Sequence, residues 1–211
     1  MDFARARQTL IDSLRNSIED PRILPALSRV ARELFVPSEL QSSAYDDRPL
    51  NIGCGQTISQ PYIVALMTQA LQLEGCEKVL EVGTGSGYQT AVLAELANSV
   101  YSVERIAELA ESAKLLLEKL GYRNITIGPA GEKLGWPANA PYDAILVTAA
   151  APGIHQDLLD QLKEGGRLVI PVGSRWEQEL LRVTPRKSGN RVEKLGGCRF
   201  VPLIGPGAWQ E

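Results

Sequence analysis

From residue 78 onward, short apolar runs and helical patterns take turns along the chain, and no other feature restricts its fold so tightly. The runs occupy 78–82, 100–103, 124–127, 142–147 and 167–172, and the clearest amphipathic stretches between them are 106–120 and 155–162. A strand that is apolar without alternation is buried on both faces. Helices between such strands supply the crossovers that parallel pairing requires. The expected fold is therefore α/β, a doubly wound and mostly parallel sheet of Rossmann-like type. Two further runs, 179–183 and 197–203, flank Ser188-Gly189-Asn190 and are expected to close one sheet edge as an antiparallel pair.

Upstream of the alternation the chain reads as helical. Phe3, Leu10, Ile11, Leu14 and Ile18 recur at helical spacing. Asp20-Pro21 then offers a cap and a first-turn proline for a second helix carrying Ile23, Leu24, Leu27, Val30 and Leu34. Residues 37–57 read as polar and irregular. Ser59-Gln60-Pro61 begins a third helix that buries Ile63, Leu66, Met67, Ala70 and Leu71. A chain of 211 residues can bury roughly 70% of its unfolded surface in one core. One domain is expected, with 1–60 as N-terminal helices and a loop and 61–211 as the α/β core.

Composition narrows the partners. No apolar run approaches the ~20 residues of a membrane helix, and Arg5, Arg7 and Asp12 interrupt the first stretch where a signal peptide would be apolar. Cys54, Cys76 and Cys198 are odd in number and form no CxxC, so they are expected to be reduced packing thiols in a cytoplasmic protein. A net charge of −3 removes the bulk attraction that general nucleic-acid binding uses. The expectation is a monomer that engages neither membrane nor nucleic acid.

The most specific local signal is VLEVGTGSGY, residues 79–88, where Gly83, Gly85 and Gly87 follow an apolar run. In a doubly wound sheet such a loop lies at the C-terminal end of a strand, where ligands bind. Its G-x-G-x-G spacing departs from the dinucleotide fingerprint G-x-G-x-x-G. Glu104 ends the second run, 17 to 21 residues past the glycines, where a carboxylate can accept hydrogen bonds from two ribose hydroxyls. Glu81, just before the loop, is expected to add negative charge that repels a pyrophosphate and suits a cationic group. S-adenosylmethionine carries an ammonium and a sulfonium and no phosphate. The plain alternative is a strand-to-helix turn that needs positive φ, with both glutamates solvated; a dehydrogenase fits less well, since His155 is the only histidine.

Three separated blocks resemble protein-L-isoaspartate O-methyltransferases. The first is Ala44-Tyr45-Asp46-Asp47-Arg48-Pro49-Leu50 with Ile52-Gly53 and Gly55-Gln56-Thr57-Ile58-Ser59-Gln60-Pro61; the second is VLEVGTGSGYQTAVLA; the third pairs APYDAILVTAA with GGRLVIPVG. Arg199-Phe200-Val201-Pro202-Leu203 also fits. The resemblance implies a class I methyltransferase fold and transfer of a methyl group from S-adenosylmethionine to the free α-carboxylate of L-isoaspartyl residues in damaged proteins, which begins their repair. It implies Ser59 as the donor that steers the carboxylate, with Thr57 and Ile58 on the substrate side; Gln56 either pairs with substrate backbone or satisfies the loop, and Asp46 either orders the substrate loop or is an exposed turn residue. For the cofactor it implies Glu81, Gly83, Thr84, Gly85, Ser86, Gly87, Glu104 and Arg105.

Four points stay open at this level. Ser59 is placed equally well to cap the helix beginning near Pro61. Family members read Gly-Asp-Gly shortly before Gly-Trp, whereas this chain has Ala130-Gly131-Glu132-Lys133-Leu134-Gly135-Trp136. Gly131 thus stands in place of an aspartate expected to bind the adenine amino group, and Glu132 is the candidate substitute. Trp136 either walls the adenine or covers the core. A same-fold methyltransferase acting on small molecules or nucleic acid, or a binding module without turnover, are the competing functions. Against an amino methyltransferase, the run at 142–147 leads into Thr148-Ala149-Ala150 rather than Asn/Asp-Pro-Pro-Tyr.

Overall fold

The computed structural model describes residues 2–210. Seven strands form the central sheet: β3 (Lys78–Val82), β4 (Ser99–Glu104), β5 (Ile125–Pro129), β6 (Tyr142–Val147), β7 (Leu162–Gly173), β8 (Gln178–Thr184) and β9 (Arg191–Cys198). Their order is β5-β4-β3-β6-β7-β8-β9. The pairs from β5 to β7 are parallel, and β8 and β9 add on antiparallel. The chain therefore reverses its direction of travel across the sheet between β3 and β6. That switch point opens a crevice at the C-terminal ends of both strands.

Alternation along the buried strands gives the sheet a separate core on each face, and a third cluster lies under the helices. Val79, Val100, Ala144, Leu146 and Val169 face α3 (Pro61–Ala70) and α4 (Tyr88–Ala94), meeting Met67, Leu71 and Leu93. Leu80, Val82, Ile145, Val147, Leu168 and Ile170 point to the opposite face, where α6 (Gln156–Leu159) contributes Leu158 and Leu159. α5 (Ala107–Lys119) packs Leu117 against Tyr88, Ala91 and Val92. The N-terminal helices α1 (Phe3–Leu14) and α2 (Ile23–Arg29) join that third cluster through Leu10, Leu14 and Leu27. No helix among the described residues is long and apolar enough to cross a membrane.

Several elements differ from the sequence reading. The second helix stops at Arg29, and Arg32–Phe35 continues as a 3-10 turn. The stretch read as irregular contains a hairpin, β1 (Leu50–Gly53) with β2 (Gln56–Ile58). The helix expected over 155–162 is one turn, because Leu162 already belongs to β7. The last strand is 191–198, not 197–203; residues beyond Cys198 leave the sheet and cross its edge. Cys54 and Cys76 are exposed, so only half-buried Cys198, its thiol pKa pushed up to about 11 by burial, fits the packing role expected of all three.

Candidate active site

A cavity of about 480 Å³ opens at the switch point, within the ~300–1,000 Å³ of small-molecule sites. It is lined by Gly55–Ser59 from the hairpin, the strand ends and loops around Gly83–Ser86 and Glu104–Ile106, the loop after β5, and a C-terminal strap, residues 201–206. Thr148 and Ala149, after β6, complete the floor.

Two glycines of the loop are bare because their surroundings leave little room. A Cβ on Gly83 would lie 2.3 Å from Thr148 Oγ1. That hydroxyl donates to the Gly83 carbonyl at 2.6 Å, which ties the ends of β3 and β6 together. Gly87 caps α4 with φ 86°, a left-handed conformation that side chains disfavour. A Cβ there would meet Ala113 and Leu117 of α5, so Gly87 sets the loop from behind and does not line the cavity.

Glu104 does line it. Its Oε2 accepts the Gly85 N–H at 2.9 Å and its Oε1 the Ile106 N–H at 2.9 Å. A carboxylate has about four lone-pair sites, so two oriented acceptor positions remain for a ligand. Arg105 and Ile106 follow on the same wall, with Ala130, Gly131, Lys133 and Leu134 beside them. These residues fit a nucleoside: a fixed diol acceptor, a backbone loop open to close approach, and an apolar wall.

Glu81 is placed elsewhere. The two-residue period of β3 turns it toward α4, away from the cavity lining. Its Oε2 accepts from Thr90 Oγ1 at 2.5 Å and Ser102 Oγ at 2.6 Å, while Oε1 is buried without a partner. Complete burial, with the Glu104 charge adding to it, pushes its pKa up to about 8. Glu81 is thus largely neutral near pH 7 and braces the underside of the loop, where the sequence reading expected a negative charge facing the ligand.

On the opposite wall are Gln56, Thr57, Ile58 and Ser59. The Ser59 hydroxyl makes no hydrogen bond among the described residues. It does not cap α3. Asp47 does so from across the loop, accepting the Tyr62 N–H at 2.8 Å and Gln60 Nε2 at 3.0 Å. Asp46, one residue earlier, is exposed, pairs with Arg48 at 3.2 Å and lies outside the cavity. Glu132 is likewise exposed and absent from the lining. Trp136 packs edge-on against Tyr101, 5.9 Å between ring centroids, and over Gly128, on the core side. His155 also lies outside the lining, and burial lowers its pKa.

Sequence reasoning missed two contributors and one buried cation behind the site. Asp47 looks like any turn aspartate until α3 is placed against it. The strap reads as a strand in sequence because its apolar residues mark burial without saying against what. Arg32 is fully buried, donates through Nε to the Ala44 carbonyl at 2.8 Å and lies 4.9 Å from the Tyr88 ring centre, with both Nη atoms unpartnered. Nothing in its sequence neighbourhood signals that burial.

Known proteins match this arrangement along its whole length. The family model described as Protein-L-isoaspartate(D-aspartate) O-methyltransferase (PCMT) matches residues 5–207. "Protein-L-isoaspartate O-methyltransferase 1" of Syntrophobacter fumaroxidans is 54% identical over 212 aligned residues, covering 100% of this chain and 99% of its own. The Syntrophus aciditrophicus protein of the same family name is 55% identical, covering 98% and 97%. A solved protein-L-isoaspartate O-methyltransferase superposes with TM-score 0.85 at 30% identity, over 96% of this chain and 67% of its own. A putative enzyme of that name from Plasmodium falciparum, solved in complex with S-adenosyl-L-homocysteine, gives 0.78 at 26%, over 92% and 96%. Sequence and fold agree from the N-terminal helices to the strap, and the chain belongs to the protein-L-isoaspartate O-methyltransferase family.

Proposed function

We propose that the chain carries out its family's reaction, methyl transfer from S-adenosylmethionine to the free α-carboxylate of an L-isoaspartyl residue in a damaged polypeptide, by positioning its reactants rather than by moving protons. The observation that carries this reading is the unengaged Ser59 hydroxyl, which shares one cavity with the glycine loop and Glu104. S-adenosylmethionine supplies an electrophilic sulfonium methyl. Glu104, fixed by two backbone donors, receives the ribose hydroxyls, and Ile106 and Leu134 offer the adenine an apolar wall. Ser59 donates to the substrate carboxylate and turns its attacking oxygen toward the methyl. A carboxylate is already ionised near neutral pH, so no general base is required. What remains is alignment and exclusion of water, which the hairpin and strap supply from two sides. The partner is the damaged polypeptide.

Geometry also sets the selectivity. In an isoaspartyl residue the chain runs through the β-carbonyl, so the free carboxylate sits one carbon closer to the backbone than in aspartate. A site that grips the adjoining peptide presents only that carboxylate to the methyl. The protein should therefore methylate an L-isoaspartyl peptide and leave the matching L-aspartyl peptide and nucleic acid unlabelled in a radioactive methyl-transfer assay. Ser59→Ala should lower turnover about 10²–10³-fold if its hydroxyl acts as one preorganised donor, with cofactor affinity retained. Because Asp47 caps α3, stability should change by no more than about 0.5 kcal/mol. Turnover preserved in Ser59→Ala would remove the hydroxyl from the reaction.

A further inference from the structure

Beyond the cavity, the C-terminal edge of the sheet carries a second feature. β7 ends at Gly173, on the same edge as the glycine loop, and Ser174–Glu177 turns back into β8. At this turn Trp176 is 71% exposed. Its backbone is held firmly: Ser174 N–H donates to the Glu177 carbonyl at 2.9 Å, and Ser174 Oγ accepts from the Trp176 and Glu177 N–H groups at 3.2 and 3.1 Å.

The same turn is fastened to the strap. Buried Gln178 donates to the Ser174 carbonyl at 2.6 Å and accepts the Phe200 N–H at 2.9 Å. Arg199 lies over the Trp176 ring, 5.9 Å from its centre. Arg175 donates to the Gln210 carbonyl at 2.6 Å and lies 5.2 Å from the centre of the Trp209 ring. Trp209 in turn donates its backbone N–H to the Leu203 carbonyl at 2.9 Å. Turn and strap thus form one ridge, and its inner side, residues 201–206, is a wall of the cavity.

Resting on the reading of the cavity as an isoaspartyl methyltransferase site, we infer that this ridge is a docking surface for the substrate polypeptide on one side of the isoaspartyl residue. A rigid, exposed tryptophan beside an arginine is the composition of binding hot spots. The ring covers an apolar side chain or an extended backbone of any sequence, and Arg199 offers donors to backbone carbonyls. Neither group reads a particular residue. Continuity with the cavity wall fixes the occupant as the chain that already enters the site, in preference to a separate partner protein.

The test compares substrate lengths. KM and kcat are measured for the wild type and for Trp176→Ala/Arg199→Ala with a blocked isoaspartyl tripeptide and with a peptide of about twenty residues bearing the isoaspartyl centrally, and S-adenosylhomocysteine affinity is measured alongside. The double variant should raise KM for the long peptide about five- to tenfold, leaving kcat, the tripeptide KM and S-adenosylhomocysteine affinity unchanged. An unchanged long-peptide KM would overturn the proposal, as would an equal rise for both lengths. Failure of the wild type to methylate either peptide would instead refute the reading of the cavity itself.

Discussion

Gly131 differs from the family's aspartate by a single missing side chain, and the cavity still has room for it. Nothing lies within 4 Å of where its Cβ would stand, although its backbone lines the site. Gly131→Asp should therefore tighten S-adenosylhomocysteine by about fivefold to tenfold, the worth of one added hydrogen bond of ~1–1.5 kcal/mol. Glu132→Ala should leave affinity alone, since Glu132 is exposed and outside the lining. Calorimetry on both variants decides between them: weakening by Glu132→Ala with no gain from Gly131→Asp would make Glu132 the adenine partner. At this scale sequence was informative where spacing alone positions a residue. Ser59, Gly83, Gly85 and Glu104 follow from motif and strand end, and they meet in one cavity. Glu81 shows the limit, because facing the ligand or the helix behind it depends on strand parity, and the apolar run of a doubly buried strand conceals parity.

α3 is held in register by a residue that belongs to no regular element. Asp47 binds the Tyr62 N–H and the Gln60 amide, so it joins the loop before β1 to the helix that directly follows Ser59. Asp47→Ala should cost about 0.5–2 kcal/mol, the usual worth of a cap, whereas Asp46→Ala, removing an exposed pair with Arg48, should cost under ~1 kcal/mol. Urea denaturation of the two variants would test the assignment, and equal midpoints would dissolve it. The elements most legible in sequence were the doubly buried strands, with Lys78–Val82 and Tyr142–Val147 matching residue for residue. Those least legible were strands without a burial signal. β9 is a sheet edge whose residues are exposed or half-buried, and the hairpin at 50–58 has only Leu50 and Ile58 buried. The apolar stretch after Cys198 carries the stronger strand signal, yet its residues 201–203 line the cavity.

Stability of the whole molecule is tied to pH through its centre. Fully buried Glu81, with a folded pKa of about 8, keeps a proton that the unfolded chain loses near 4.5. Between those values the unfolded state binds fewer protons, so stability falls as pH rises, by up to about 1.4 kcal/mol per unit. His155, whose pKa burial lowers from 6.5, acts with the opposite sign only below that value, which leaves pH 7–8 as the cleaner window. Melting temperature should decline across it in the wild type and decline less in Glu81→Gln; parallel curves would mean that Glu81 is ionised in the fold. The cavity draws on the whole molecule. Hairpin, central loops and strap come from early, middle and late portions of the chain, yet they enclose a single space. A copy interrupted before Arg199 would hold Ser59, the glycine loop and Glu104 and still lack one wall. Competence for methyl transfer thus depends on residues 201–206 as much as on the motifs, because without them one side of the reaction space stands open to water.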